Sequence, residues 1–154
     1  MLRETLKNEK IQSLIVNPPL VVSRNRTAGE VIQEMQQRKT GCAIIMNGKK
    51  LEGIFTDRDA LTRIAAKEAD LSLPIEKFMT PNPKTLKEQD SIASAIRLMN
   101  NGGYRRIPLL DDEGHVKGVL SVRNIVRYLA EHFPHEVFNL PPVPQQLNRA
   151  REGA

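Results

Sequence analysis

The chain has 154 residues, 40% of them apolar and 27% charged, a mixture that excludes collagen-like, low-complexity and wholly disordered polymers and suffices for a real core. No apolar run approaches the ~20 residues needed to cross a bilayer, and the charged opening MLRETLKNEK lacks the apolar stretch of a signal peptide. The net charge of +5 arises from 23 basic and 18 acidic residues interspersed along the chain, and aromatic residues are few, so nucleic acid is a poor fit as partner.

Residues 1–10 are expected to form a short helix carrying Leu2 and Leu6, or to fray. Past a short apolar strand, the positions Ala28, Val31, Ile32 and Met35 fall at i, i+3, i+4 and i+7, and Thr27 with Glu30 has the spacing of a capping box. That spacing predicts an amphipathic helix. Two apolar runs follow, Cys42 to Met46 and Leu51 to Thr56, separated by Asn47-Gly48-Lys49-Lys50, whose Asn-Gly signals a hairpin. A second helix then opens with Ala60, Leu61 and Ile64 on its apolar face.

The rest of the chain repeats this order. At an offset of 64, Ile11 falls on Ile75, Leu14 on Phe78, Thr27 on Ser91, Ile32 on Ile96 and Met35 on Met99. At an offset of 65, Gly53-Ile54-Phe55-Thr56-Asp57-Arg58-Asp59 falls on Gly118-Val119-Leu120-Ser121-Val122-Arg123-Asn124. Each unit of about 60 residues is too small to complete a good core alone, so the copies are expected to pack about a pseudo-twofold axis. The predicted fold class is α/β (α+β), with β-α-β-β-α in each copy. The divisions are an N-terminal segment 1–10, motifs at 11–70 and 75–133, and a Pro-rich C-terminal arm 134–154.

This order, with the repeated Gly-apolar-apolar-Ser/Thr-x-x-Asp/Asn segment, the Phe78-Met79-Thr80 stretch and the strand Tyr104 to Asp111, resembles a stand-alone tandem CBS-domain protein, or Bateman module. The resemblance covers roughly residues 11 to 133. It implies a cleft between the two copies that holds an adenosine nucleotide, with adenine between apolar residues, ribose on the motif acid and phosphate on hydroxyls and cations. It also implies a homodimer built on exposed apolar helix faces.

Residue by residue, the implied ligand-binding set is Ile54, Phe55, Thr56 and Asp59 from the first copy with Thr85, Arg105, Arg106 and Arg123 from the second. Three guanidinium groups suit a phosphate tail, since their planar donors bind it bidentately. A weaker mirror-image site combines Val21, Gly41, Cys42 and Arg58 with Ser121 and Asn124, where fewer charges are foreseen. The preferred ligand is AMP, ADP or ATP, with S-adenosylmethionine an option at the weaker site. Each assignment has a plain alternative. Ser/Thr-x-x-Asp at a strand-to-helix junction is also a helix cap needing no ligand, and paired arginines also line solvated strand edges.

Cys42 is the only cysteine, so it forms no internal disulfide and no thiolate zinc site; this fits a reducing, cytoplasmic location, and an apolar strand suits an inert buried thiol. His132 and His135 read as solvated surface rather than as metal ligands. Past Phe133, prolines at 134, 141, 142 and 144 forbid a long helix, and Val137, Phe138, Leu140 and Val143 suggest an extended arm over the module or a second chain, with a mostly disordered tail as the alternative. No nucleophile elbow, Walker loop or His-carboxylate metal pattern is visible, so no enzyme is expected and no metal is called for. Two functions stand: a regulatory module that senses an adenine nucleotide and signals to an unidentified partner, and a structural homodimerisation module without a ligand.

Overall fold

The computed structural model describes residues 2–14 and 18–134. A first helix, α1 (Leu2–Asn8), leads into a one-turn 3-10 helix, Ile11–Ser13. The first copy then runs β1 (Val21–Ser23), α2 (Ala28–Gln37), β2 (Cys42–Asn47), β3 (Lys50–Thr56) and α3 (Asp57–Asp59), the last continuing as a π-helix over Ala60–Ala65. A second 3-10 turn, Ile75–Lys77, and the two-residue strand β4 (Thr80–Pro81) lead to the second copy. There β5 (Leu86–Lys87), α4 (Ile92–Gly102), β6 (Arg106–Leu110), β7 (Val116–Ser121) and α5 (Val122–His132) repeat the pattern. This is the mixed α/β architecture that the alternating periodicities imply.

Local chemistry sets the element ends. The Thr27 hydroxyl accepts the backbone N–H of Glu30 at 3.2 Å and Ser91 accepts that of Ser94 at 3.1 Å, so the residues paired by the repeat start α2 and α4 in the same way. Between β2 and β3, Gly48 takes a φ of +61°, which the tight hairpin requires and a side chain would resist. In one sheet β1 lies parallel to β2, β2 antiparallel to β3, and β3 antiparallel to β4; in the other, β5 is parallel to β6 and β6 antiparallel to β7.

The repeat boundaries do not coincide with the two cores. Ile75 and Phe78, from the start of the second motif, are buried with Val22, Val31, Ile45 and Phe55 in the first core. Ile11 and Leu14, from the start of the first motif, are buried with Ile92, Ile107, Leu120 and Ile125 in the second. The exchange is hydrogen-bonded on both sides: Ile11 N–H donates to the Asp90 carbonyl at 2.9 Å, and Ile75 N–H to that of Arg26 at 2.7 Å. Each copy thus closes over a segment supplied by the other, as a twofold-related pair requires.

Gly53 belongs to the same exchange. It pairs with Pro81 of β4, and a Cβ there would run into the Met79 side chain and approach the Thr80 carbonyl oxygen to 2.9 Å, so the motif glycine of the first copy exists to admit the crossing strand. A third apolar cluster of Cys42, Ile44 and Ile54, packed against Val116 and Val119, joins the two sheets. On the N-terminal side, Leu6 of α1 packs against the second core, which ties that helix down. The proposed arm beyond Pro134, with Val137, Phe138, Leu140 and Val143, lies outside the described residues.

Candidate functional site

Both strand-to-helix junctions are capping boxes. In the first, Thr56 N–H donates to Asp59 Oδ2 at 3.0 Å while the Thr56 hydroxyl accepts the Asp59 N–H at 3.2 Å. In the second, Asn124 Oδ1 accepts the Ser121 N–H and hydroxyl, each at 2.8 Å, and the Ser121 hydroxyl accepts the Asn124 N–H at 3.3 Å. An amide oxygen suffices for this geometry, so Asn124 caps as fully as Asp59 does.

The junctions differ in what lies beyond the cap. Asp59 Oδ1 stands 3.5 Å from Arg63 Nε, and Arg63 donates to the carbonyls of Phe78 at 3.3 Å and Met79 at 2.9 Å. The first-copy acid therefore anchors an arginine that clamps the crossing segment. At the position matching Arg63, the second copy has Tyr128, buried in its own core. Asn124 lines a cleft.

That cleft, about 260 Å³, lies between the copies. From the first copy come Pro18, Pro19 and Leu20 ahead of β1, and Lys39 to Cys42 ahead of and at the start of β2. From the second come Arg105 and Arg106 at the start of β6, Val119 and Ser121 of β7, and Arg123 and Asn124 in the first turn of α5. Among the described residues, Lys39, Arg105, Arg106 and Arg123 bring four cations to its wall and no lining residue is a carboxylate. The positive end of the α5 dipole adds to this field.

The arrangement redistributes the residues singled out from sequence. Arg105, Arg106 and Arg123, assigned there to a cleft with Asp59, line the one with Ser121, Asn124 and Cys42 instead. The reason is positional: Arg106 pairs with Ser121 across β6 and β7, which sets it beside its own copy's motif. Arg58, grouped with Ser121 and Asn124, instead edges an apolar hollow with Ile96, Met99 and Tyr104. Arg105 borders both cavities. The three arginines expected to face Asp59 thus line the cavity that Ser121 and Asn124 also line.

Four other assignments change as well. Phe55 is fully buried in the first core, because odd and even positions of β3 face opposite sides and Phe55 points inward. Ile54 faces the cluster between the sheets. Val21 is 46% exposed while Leu20 reaches the cleft, since the alternation of β1 turns Val22 into the core and Val21 out. Thr85 lies half-buried just ahead of β5 and does not line this cleft. Cys42 does line it, 6% exposed, and burial pushes its thiol pKa up, which suits a packing role rather than a nucleophile.

Sequence reasoning missed Lys39, Pro18, Pro19 and Leu20, which no motif marks but whose positions flank a paired strand start. It also passed over His115, whose Nδ1 lies 3.2 Å from Asp111 Oδ2 in the turn between β6 and β7. Asp111 accepts the N–H groups of Glu113 at 2.9 Å and His115 at 2.8 Å, and these bonds hold its carboxyl below the usual range. The three side chains stabilise that turn.

The CBS domain model matches twice, at residues 11–66 and 75–131. The chain belongs to the CBS-domain family. It is 29% identical over 123 residues to a 17.7 kDa protein of Acidianus ambivalens, covering 79% of this chain and 74% of that one. It is 31% identical over 127 residues to CBS domain-containing protein CBSCBSPB5 of Arabidopsis thaliana, covering 80% of this chain but only 23% of that longer protein. Among solved structures, the CBS domain protein PAE2072 of Pyrobaculum aerophilum complexed with AMP superposes with a TM-score of 0.70 at 26% identity, covering 79% of this chain and 98% of that one. The CBS domain pair of protein MJ0100, in complex with 5′-methylthioadenosine and S-adenosyl-L-methionine, gives 0.71 at 22% identity over 80% and 97%. Among the described residues, no helix is long and apolar enough to cross a membrane.

Proposed function

We propose that this CBS pair is a regulatory rather than catalytic module, which binds an adenosine nucleotide in the cleft between its copies and signals its occupancy to a partner protein. The observation that carries this reading is the cleft itself, where, among the described residues, four cations and no carboxylate meet a helix N-terminus and an apolar wall. Lys39, Arg105, Arg106 and Arg123 hold the phosphates, Ser121 and Asn124 face the ribose, and Leu20 and Val119 flank the adenine. The AMP complex of the P. aerophilum relative supports the ligand class. Because the cations sit in this cleft, a phosphate-bearing nucleotide fits it better than the sulfonium of S-adenosylmethionine.

Melting of the purified protein against AMP, ADP, ATP, S-adenosylmethionine and NAD tests the reading. A ligand at 100 times its Kd stabilises the native state by about 2.7 kcal/mol, so the phosphate-bearing ligands raise the Tm by several degrees. Absence of a shift with all five overturns it. A second reading, a structural homodimer, rests on Leu61 and Val126, which are 64% and 57% exposed at positions matched by the repeat. Sedimentation of the wild type against a Leu61→Glu, Val126→Glu variant tests that: a dimer converted to monomer supports it, and a wild-type monomer removes it.

A further inference from the structure

Arg106 reaches across the cleft mouth to the first copy, where its Nη1 lies 3.3 Å from Asp57 Oδ1. Asp57 is held in place by its own backbone, whose N–H donates to the Gly41 carbonyl at 2.8 Å. Gly41 leaves room for the pair: a Cβ there would collide with Arg106 Nη2 and come within 3.0 Å of Asp57 Oδ2. Arg106 and Gly41 both line the cleft, whereas Asp57 stands outside it with 64% of its side chain exposed. The cleft's cation set thus carries one anion at its rim, from the opposite copy.

We propose that Asp57 is an internal counterion that occupies Arg106 while the cleft is empty, and that a ligand phosphate must take its place. This rests on the nucleotide reading and adds to it a residue that sets affinity without touching the ligand's sugar or base. Asp57 takes the Nη1 end of the Arg106 guanidinium, and an oxyanion in the cleft competes with the Asp57 carboxylate for those donors. Where both stay near, their like charges repel, and the repulsion grows with the number of phosphates. Because Asp57 and Arg106 belong to different copies, binding exchanges a direct ion pair between the copies for one bridged by ligand. Asp57 is therefore a positioning residue that makes the site sensitive to phosphate count and couples occupancy to the junction of β3 with α3.

Titration calorimetry on the full chain tests this with AMP, ATP and inorganic pyrophosphate against wild type, Asp57→Asn, Arg106→Gln and the double variant. Asp57→Asn is expected to tighten AMP about 3-fold and ATP about 10-fold, an effect absent in the Arg106→Gln background. Unchanged or weakened binding in Asp57→Asn overturns the proposal, as does equal tightening with and without Arg106, which would mean a general field effect. If the nucleotides fail to bind but pyrophosphate binds and is tightened by Asp57→Asn, the counterion role stands and the nucleotide reading falls. If neither nucleotides nor pyrophosphate bind any variant, both fall.

Discussion

The Asp59 carboxylate and the Arg63 guanidinium meet at 3.5 Å, and through Arg63 the acid of the first motif grips the backbone of the crossing segment at Phe78 and Met79. With the carboxylate also receiving the Thr56 N–H, both of its oxygens serve the fold.

Asp59→Ala is accordingly expected to lower stability by about 1–2 kcal/mol, from the lost cap and the loosened clamp, and the Tm by a few degrees. Nucleotide affinity stays within about 2-fold. Parallel melting and calorimetry check the split, and a large loss of affinity with an unchanged Tm would return Asp59 to the ribose.

Arg123→Gln acts in the opposite sense. It removes a cation from the wall of the cleft at the start of α5 and is expected to weaken AMP about 10-fold or more with little change in Tm, since one hydrogen-bonded charge contributes ~1.5–3 kcal/mol. Wild-type affinity should also fall as salt rises from low to physiological ionic strength.

At Gly41 the obstacle to alanine is the end of the flexible Arg106 side chain, and the backbone there needs no left-handed conformation. Gly41→Ala is expected to fold with near wild-type stability but to push Arg106 away from Asp57. A nucleotide titration would show altered affinity, and an unchanged one would mean that Arg106 contributes nothing to binding.

Phe55→Ala empties the centre of the first core and is expected to cost about 3–5 kcal/mol by denaturant unfolding, far more than any change in the cleft. A cost under about 1 kcal/mol would be incompatible with its complete burial.

Acid sensitivity follows from carboxylates held below their ordinary range: Glu34 by its hydrogen bond to Arg26, Asp70 by the Ser72 N–H and hydroxyl, and Asp111 by the turn at His115. Their folded pKa values are depressed, so the stability they lend is present above the unfolded values of about 4 and is lost as pH falls through the folded ones. Melting from pH 7 to pH 3 should show a decline concentrated below pH 4, and Glu34→Gln should flatten part of it.

The repeat, the capped helices and the hairpin were legible because each rests on local chemistry: Thr27 and Ser91 as caps, Gly48 at the turn, apolar residues every three to four positions. The sharing of residues between copies was not. Nothing in the periodicity of Ile11 or Ile75 records which core receives it, since both cores are equally apolar. For the same reason the cavity that the three arginines line was not legible: pairing by offset shows which residues correspond, while the register of Arg106 with Ser121 shows which ones are neighbours. Phe55 was misread because a motif position and a core position are the same residue type in a buried strand.

The crossing of Ile11 and Ile75 also bears on how the chain is expected to fold. The first core draws on residues from Leu20 to Phe78, a single stretch of chain, and is expected to assemble first. The second needs Ile11 from the beginning and Tyr128 from near the described end, so it waits on the slower search that distant contacts impose. Ile11 and Leu14 belong to the second core, so a chain cut between the motifs leaves each piece holding the missing corner of the other. Two such pieces, mixed, are the natural complement of one another, and their reassembly would measure how much of the fold the single connection supplies.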